Sequence, residues 1–457
     1  MTNVLTIETS SLGDRSYLAT DGTVALVVDP QRDIDRIVAL AENSGLRITH
    51  VLETHTHNDY VSGGLELAAL TGATYVLPVG SGAEFDHTHV TDGDAFEVGD
   101  LRVSVLHTPG HTHHHVAYTV AGPDGRIDAA FTGGSMLFGS TGRTDLVGPD
   151  ETDGLTRAQF HSVRRLADEV PDNAQVHPTH GFGSFCSATP TSGDSSTVGE
   201  QRGSNPALTL DESTYVETLL AGLDAYPAYY AHMGPLNRQG PAPVDLSPPE
   251  PVDNATLRAH AEAGDWVVDL RARTAFAAGH LPGTLSFELD DSFVTYVGWL
   301  VPWKASITLL GETAEQVAEA RRELSRIGID KLAGAAVGDI ADLADGRPLR
   351  SYPVSDFAGL ADERQRSRVH VLDARRNDER ARGHVVGSQH IPVHELDDRI
   401  EELPDDGEIW VYCGSGYRAS IAASMLDRAG RQVVHVDETY DAARAAGLEQ
   451  EPQETGG

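Results

Sequence analysis

The chain has 457 residues, 40% of them hydrophobic, so two to four domains with real cores are expected at roughly 100–200 residues each. Against 34 Lys and Arg stand 69 Asp and Glu, a net charge of −35 that repels phosphate backbones, so nucleic-acid binding is not expected. No apolar run reaches the roughly 20 residues that span a bilayer, and the start, MTNVLTIETS, lacks a basic segment followed by an apolar one, so neither membrane insertion nor secretion is expected. Two cysteines, Cys186 and Cys413, cannot build a disulfide framework; a reducing, cytoplasmic setting fits, and each cysteine needs its own explanation.

In chain order, RITHVLET (47–54) reads as a buried strand and DYVSGGLELAALTG (59–72) as the helix after it. LRVSVLH (101–107) alternates with period two, as a half-buried strand does. HVAYTVA (115–121) and DAAFT (128–132) are further strands. TRAQFHSVRRLADEV (156–170) puts Phe160, Val163, Leu166, Ala167 and Val170 on one helical face. The Ser-, Thr- and Gly-rich stretch 187–206 reads as a long loop, and QGPAPVDLSPPEPVDN (239–254) as a linker.

Two histidine clusters follow strand ends in the first part. His55, His57 and Asp59 stand at alternate positions, which face the same way in extended chain and so converge on a cation. His111 sits behind the Pro109-Gly110 turn, in TPGHTHHH (108–115). Three imidazoles, or two and a carboxylate, suit Zn or Fe(II). Of His113, His114 and His115, most are expected to be surface residues.

After the linker the chain repeats itself. VVDLRARTAFAAGHLPGTLSF (267–287) matches VLDARRNDERARGHVVGSQHI (371–391) at an offset of 104. Asp269 aligns with Asp373, Arg271 with Arg375, and Gly279-His280 with Gly383-His384, so two copies of an α/β domain of about 100 residues are expected. The second copy contains EIWVYCGSGYRASIAASMLDRAG (408–430), an apolar strand, Cys413, a glycine loop and a helix opened by Arg418. A cysteine there faces backbone N–H groups at a helix start, and with Arg418 these favour a thiolate or a persulfide anion. Gly416 permits the tight loop.

The second copy resembles the rhodanese family, whose active loop is Cys-x-x-Gly-x-Arg. The resemblance implies that Cys413 accepts a sulfane sulfur, that Arg418 steadies the loop, and that Gly414, Ser415, Gly416 and Tyr417 line the substrate. At Gly414 the usual arginine is missing, which removes a recognition group for an anionic donor such as thiosulfate. The first copy has no cysteine; counting back 104 from Cys413 gives Leu309, so this copy is expected to be silent.

Residues 1–185 resemble the metallo-β-lactamase superfold through THTHNDY (54–60), PGHT (109–112), FTGG (131–134), GRTD (142–145) and HPTHGFGS (177–184). They resemble its persulfide dioxygenase branch more closely. By that resemblance Arg143 and Asp145 belong to the substrate site, and Cys186, in GFGSFCSA, carries persulfide or lines the pocket. The whole chain then resembles a persulfide dioxygenase fused to a silent and an active rhodanese domain. The implied architecture is multidomain α/β: an αββα sandwich with its extension over 1–240, a linker 241–254, an inactive rhodanese-like domain 255–350, and a rhodanese domain 351–457. Its many acids and few lysines, Lys304 and Lys331 alone, resemble salt-adapted proteins of halophilic archaea, and self-association is expected from the resemblance.

Two residues break the pattern. The last histidine of the metal signature is Tyr60, which disfavours a two-metal site. The family's carboxylate ligand falls at Gly134, nine residues before Arg143. Either His57 turns inward to join His55 and His111, or Asp59 supplies the carboxylate, or water fills the gap; His180, with Tyr60, is expected beside the ligands rather than among them. Three functions stay open. The leading one oxidises a small thiol persulfide with O₂ at a single Fe(II) to give sulfite, which Cys413 converts to thiosulfate. The others are a sulfur carrier with a degenerate metal site and a zinc-dependent thioester hydrolase.

Overall fold

Strands buried on both faces, such as VALVV (24–28) and VAYTVA (116–121), form the inner layers of the N-terminal half. In the computed structural model, which describes residues 2–191 and 193–450, its strands form a six-stranded and a five-stranded sheet. The first comprises β1 (Asn3–Thr9), β2 (Asp14–Thr20), β3 (Val24–Val28), α1 (Asp35–Asn43), β4 (Arg47–Leu52), α2 (Gly64–Thr71), β5 (Thr74–Pro78) and β6 (Thr88–Val90), with strands ordered β1-β2-β3-β4-β5-β6. The second comprises β7 (Ala95–Val98), β8 (Leu101–His107), β9 (Val116–Ala121), β10 (Ile127–Gly133), α3 (Thr152–Glu169) and β11 (Gln175–Pro178), ordered β11-β10-β9-β8-β7. Helices α4 (Val198–Ser204), α5 (Pro206–Thr209), α6 (Glu212–Gly222) and α7 (Tyr230–Gln239) follow.

Leu26, Val28, Leu52, Val103, Val105, Tyr118 and Phe131 fill the space between the sheets. Ile37 and Ala41 of α1 and Leu67 of α2 cover the outer face of one sheet. Phe160, Val163, Leu166 and Ala167 of α3, with Val170, cover the other. The result is an αββα sandwich. Each Val, Leu, Ile and Phe side chain among them contributes about 1.5–3 kcal/mol relative to exposure. All five residues expected on one face of the 156–170 helix are buried there.

The stretch 187–206 is not all loop, because α4 lies within it. Thr197 and Glu200 form a capping box: the Glu200 N–H donates to Thr197 Oγ1 at 3.3 Å, and Glu200 Oε2 accepts from the Thr197 N–H at 2.8 Å. The T-x-x-E signal is in the sequence, but polar composition masked it.

The C-terminal half carries α8 (Asn254–Ala263), β12 (Trp266–Asp269), α9 (Arg273–Ala278), β13 (Leu285–Ser286), α10 (Phe293–Leu300), β14 (Ile307–Gly311), α11 (Ala314–Arg326), β15 (Gly334–Val337) and α12 (Ile340–Ala344). Then come β16 (Val354–Ser355), α13 (Phe357–Arg366), β17 (His370–Asp373), α14 (Asn377–Ala381), β18 (His384–Val385), β19 (Gln389–His390) and α15 (Leu396–Arg399). The chain closes with β20 (Glu408–Tyr412), α16 (Tyr417–Arg428), β21 (Gln432–Val436), α17 (Asp441–Ala445) and β22 (Glu449–Gln450). Two parallel sheets result, ordered β13-β12-β14-β15 and β16-β21-β20-β17-β19. Contacts divide the whole chain into two units, Met1–Asp245 with Leu324–Gly328, and Leu246–Glu323 with Ile329–Gly457.

The repeat is written into identical buried ion pairs. Arg271 Nη2 donates to Asp269 Oδ2 at 2.7 Å and to Gly279 O at 3.0 Å. Arg375 Nη2 donates to Asp373 Oδ2 at 2.9 Å and to Gly383 O at 2.7 Å. The register corrects one expectation. Asp269 pairs with Leu310, and Asp373 with Tyr412. The position after each partner is therefore Gly311 in one copy and Cys413 in the other, not Leu309. Two extra residues between the paired strands of the first copy shift the count, and Leu309 is a core side chain within β14. Glycine is as unable to hold a persulfide as leucine.

Candidate metal centre and cysteine site

Strand β4 runs directly into Glu53-Thr54-His55-Thr56-His57, all buried. The His55 ring centroid lies 4.2, 4.7, 4.9 and 5.3 Å from those of His57, His111, His115 and His180. Which nitrogen of each ring is free follows from its partners. The Nδ1–H of His111 donates to Arg143 O at 2.7 Å, leaving a buried Nε2 with no hydrogen-bond partner. Thr54 Oγ1 gives its proton to Asp29 Oδ2 at 2.7 Å, so it accepts from His55 Nδ1 at 2.9 Å. His57 Nε2 lies 3.2 Å from both Asp29 Oδ1 and Glu53 Oε2, leaving Nδ1 buried and without a hydrogen-bond partner. The ligand atoms of His55, His57 and His180 lie within 4.8 Å of one another, as do those of His111, His180 and Cys186.

Buried, unpaired imidazole nitrogens carry a large desolvation cost, and imidazole suits late first-row divalent metals. The donor set therefore fits such a cation. Burial and neighbouring histidines hold His55 well below the ordinary range, and burial with His180 lowers His111 to about 3, so both are neutral and able to ligate. Burial opposes charge on His57 too, but Asp29 and Glu53 win and push it up to about 9.

The expected residues take unequal places. His57 shares a ligand group with His55 and His180, whereas His111 falls in another with His180 and Cys186, so the set of His55, His57 and His111 is not brought together as one group. Asp59 does not join His55 and His57; its Oδ2 lies 3.0 Å from Nδ1 of His180, beside Asp14. Tyr60 Oη sits 3.0 Å from His57 Nε2 and donates to Asp29 O at 3.3 Å, a support behind the histidine. Of the neighbouring run, His113 is exposed and His114 half-buried, but His115 is fully buried and accepts the Gly134 N–H at 2.9 Å through Nε2. The expectation of a surface histidine fails for His115 because Thr108 Oγ1, 2.8 Å from Nδ1, partners the ring's other side.

Gly134 has no room for a side chain as packed: a Cβ would stand 2.4 Å from His111 Cδ2. The Arg143 guanidinium is fully engaged, with Asp145 at 2.7 and 2.8 Å, Phe185 O at 3.1 Å and Asp224 O at 2.8 Å. With the Arg143 N–H on Cys186 O at 2.7 Å, it holds the segment that carries Cys186. Burial, then the charge of Asp59, push the Cys186 thiol well above its ordinary range. Asp14, Asp29 and Glu53 escaped the sequence reading. Asp29, closing ALVVD (25–29), and Glu53, following THVL (49–52), carried a signal, a carboxylate at a strand end.

In the C-terminal half, Cys413 follows β20 and is buried. The N–H that reaches its Sγ is that of Gly416, at 3.2 Å. Gly416 has φ +93°, and a Cβ there would meet Asp437 Oδ1 at 2.0 Å, so glycine is required. Arg418 pairs with both oxygens of Glu379, at 2.5 and 2.7 Å. Its Nη2 would lie 2.8 Å from a Cβ at Gly414, so it fills the space that a larger residue there would need. Ser415 is exposed, whereas Tyr417 is buried and donates to Glu288 O at 3.0 Å. A cavity of about 320 Å³ beside Gly414 is lined by Arg375, Glu379, Arg382 and Arg444, among others.

Residues 14–180 match the metallo-beta-lactamase superfamily model, and residues 357–446 match the rhodanese-like domain model. Human persulfide dioxygenase ETHE1, mitochondrial, is 30% identical over 240 residues, 52% of this chain and 80% of that protein. The chain belongs to the persulfide dioxygenase family of the metallo-beta-lactamase superfamily, with a rhodanese-like domain joined to it. A hydroxyacylglutathione hydrolase of Maricaulis maris is 32% identical over 168 residues, 35% of this chain and 58% of that protein. A solved metallo-beta-lactamase from Staphylococcus aureus subsp. aureus COL superposes with a TM-score of 0.66 at 29% identity, covering 74% of this chain and 99% of that one. Among the described residues, no helix is long and apolar enough to cross a membrane.

Proposed function

We propose that the chain is an enzyme that oxidises small thiol persulfides to sulfite at the histidine site and passes sulfur through Cys413 to give thiosulfate. The observation that carries this is one chain joining a persulfide dioxygenase relative's histidine cluster to a rhodanese-type cysteine loop. In the first half-reaction RSSH, O₂ and H₂O give RSH, sulfite and two protons. In the second, the Cys413 thiolate takes the outer sulfur of another RSSH, releasing RS⁻; sulfite then takes that sulfur, leaving thiosulfate and the Cys413 thiolate.

An Fe(II) ion held by histidines that include His55 and His111 would supply a binding place for O₂ and the persulfide sulfur. The protein does the rest. Asp29 and Glu53 fix His57, the Arg143 carbonyl orients His111, and Arg143 holds the Cys186 segment against the site. At the second site the Gly416 N–H stabilises charge on sulfur as it develops. Arg375, Arg382 and Arg444 line the cavity at Gly414 together with Glu379, Asp441 and Glu449, so its walls carry both signs of charge.

The test is O₂ uptake and product analysis on iron-loaded protein given a thiol persulfide. Cys413→Ser is expected to abolish thiosulfate formation and leave O₂ uptake and sulfite release intact. Loss of both would overturn this division of labour. A thioester hydrolase using zinc is the second reading, favoured by the donor set's lack of a carboxylate at Gly134 and by the hydroxyacylglutathione hydrolase relative. Thioester cleavage by zinc-loaded protein, without O₂ uptake by the iron form, would decide for it.

A further inference from the structure

We infer that the silent first copy is a working part of the Cys413 site: its Arg273 and Glu288 hold Asp437 and Tyr417 on the two flanks of Gly416, so that Arg273 is a positioning residue for sulfur transfer. This rests on the reading that Cys413 transfers sulfur.

The loop's task is geometric. The Gly416 N–H reaches Cys413 Sγ at 3.2 Å, so its aim depends on where residue 416 is held. Glycine has no side chain to anchor it, and its neighbours must do so. His435 of β21 presents Nε2 at 2.9 Å from Gly416 O. Asp437, just after β21, fills the space that a side chain at 416 would need. Tyr417, the next residue, donates its hydroxyl away from the loop.

The anchors of Asp437 and Tyr417 both lie in the first copy. Arg273 opens α9, and its Nε donates to Asp437 Oδ1 at 2.7 Å while its Nη1 donates to Glu288 Oε2 at 2.6 Å. The backbone O of the same Glu288 accepts from Tyr417 Oη at 3.0 Å. One guanidinium thus ties both flanks of Gly416 together. Tyr296 of α10 packs its ring 5.7 Å from that of Tyr417. These residues belong to a single compact unit. Arg273 also cancels a charge: an unpaired Asp437 carboxylate beside the loop would oppose negative charge on sulfur. The repeat does not demand this arginine, because the position 104 residues later is Asn377. The rival is that these contacts only glue the copies together. A tie of that kind exists farther along α16, where Arg350 Nη2 donates to Asp427 Oδ1 at 2.8 Å.

The experiment compares full-length wild type with Arg273→Met, Arg273→Lys, Tyr417→Phe and Arg350→Gln. It measures thiosulfate formation from a thiol persulfide and sulfite, and amide hydrogen exchange in residues 413–418. Arg273→Met is expected to lower kcat by about 100-fold, the cost of an ångström-scale misplacement, to leave KM near wild type, and to speed exchange in that segment. Arg273→Lys is expected to recover most of the loss, and Arg350→Gln to keep wild-type kcat. Wild-type kcat in folded Arg273→Met would overturn the inference, as would an equal loss in Arg350→Gln. If Arg273→Met does not fold, Tyr417→Phe takes its place with the same two outcomes. If wild type itself moves no sulfur, the proposed function of Cys413 falls, and exchange alone decides: protection of 413–418 unchanged by Arg273→Met or Tyr417→Phe would overturn the inference as well.

Discussion

The His111 ring lies between two glycines, with a Cβ at Gly134 falling 2.4 Å from its Cδ2 and one at Gly142 falling 2.8 Å from its Nδ1. Placing a carboxylate at position 134 is therefore not a simple repair. Gly134→Asp is expected to lower stability by about 1–3 kcal/mol, the usual cost of overpacking, and not to raise iron occupancy. Thermal unfolding and metal analysis check this; a rise in occupancy would show that His111 moves aside without loss. The closeness of His55 and His57 was legible because alternation after a strand end constrains side-chain direction, and His111 was singled out by its place behind the Pro109-Gly110 turn. Their supports were not. Asp14 meets His180 across 166 residues, and no local pattern reports a contact that distant.

At the scale of elements, the Cys413 loop was read from strand, glycine and helix signals alone, and β20 and α16 flank it as those signals required. Gly416→Ala is expected to abolish sulfur transfer and to cost at least about 1–3 kcal/mol for the left-handed backbone, measured by thiosulfate production and unfolding. The partner of Arg418 was invisible in sequence. Glu379 comes from α14, and although burial raises its carboxyl, Arg418 lowers it further, so its net shift is downward. A depressed carboxyl stabilises above its ordinary range and loses that contribution as pH falls through the folded value. Sulfur transfer at neutral pH is thus expected to persist until the acidic carboxylate range and then fall. Glu379→Gln is expected to flatten that acid limb, and a limb identical to wild type would remove Glu379 from its cause. The two-residue shift in the silent copy belongs to this scale too: an offset counted along the chain held through the conserved Asp-x-Arg segment, and only strand register revealed where it ended.

For the whole molecule, a net charge of −35 opposes compaction. Screening shortens from about 10 Å at 0.1 M salt to about 3 Å at 1 M. Tm is expected to rise with KCl over that range, and a flat or falling Tm would mean that screening of surface ion pairs outweighs relief of repulsion. Composition and periodicity by themselves determined the alternation of strands and helices, the repeat, the histidine clusters and the cysteine loop, because all rest on residue type and short spacing, whereas the αββα layering entered as what the family resemblance implied. Tertiary structure alone decided which histidine nitrogens are free, that His115 is interior, and that His180 faces His55. Those facts depend on hydrogen-bond partners brought together by sheet closure, and a ring's chemistry is set by what sits at each of its two nitrogens.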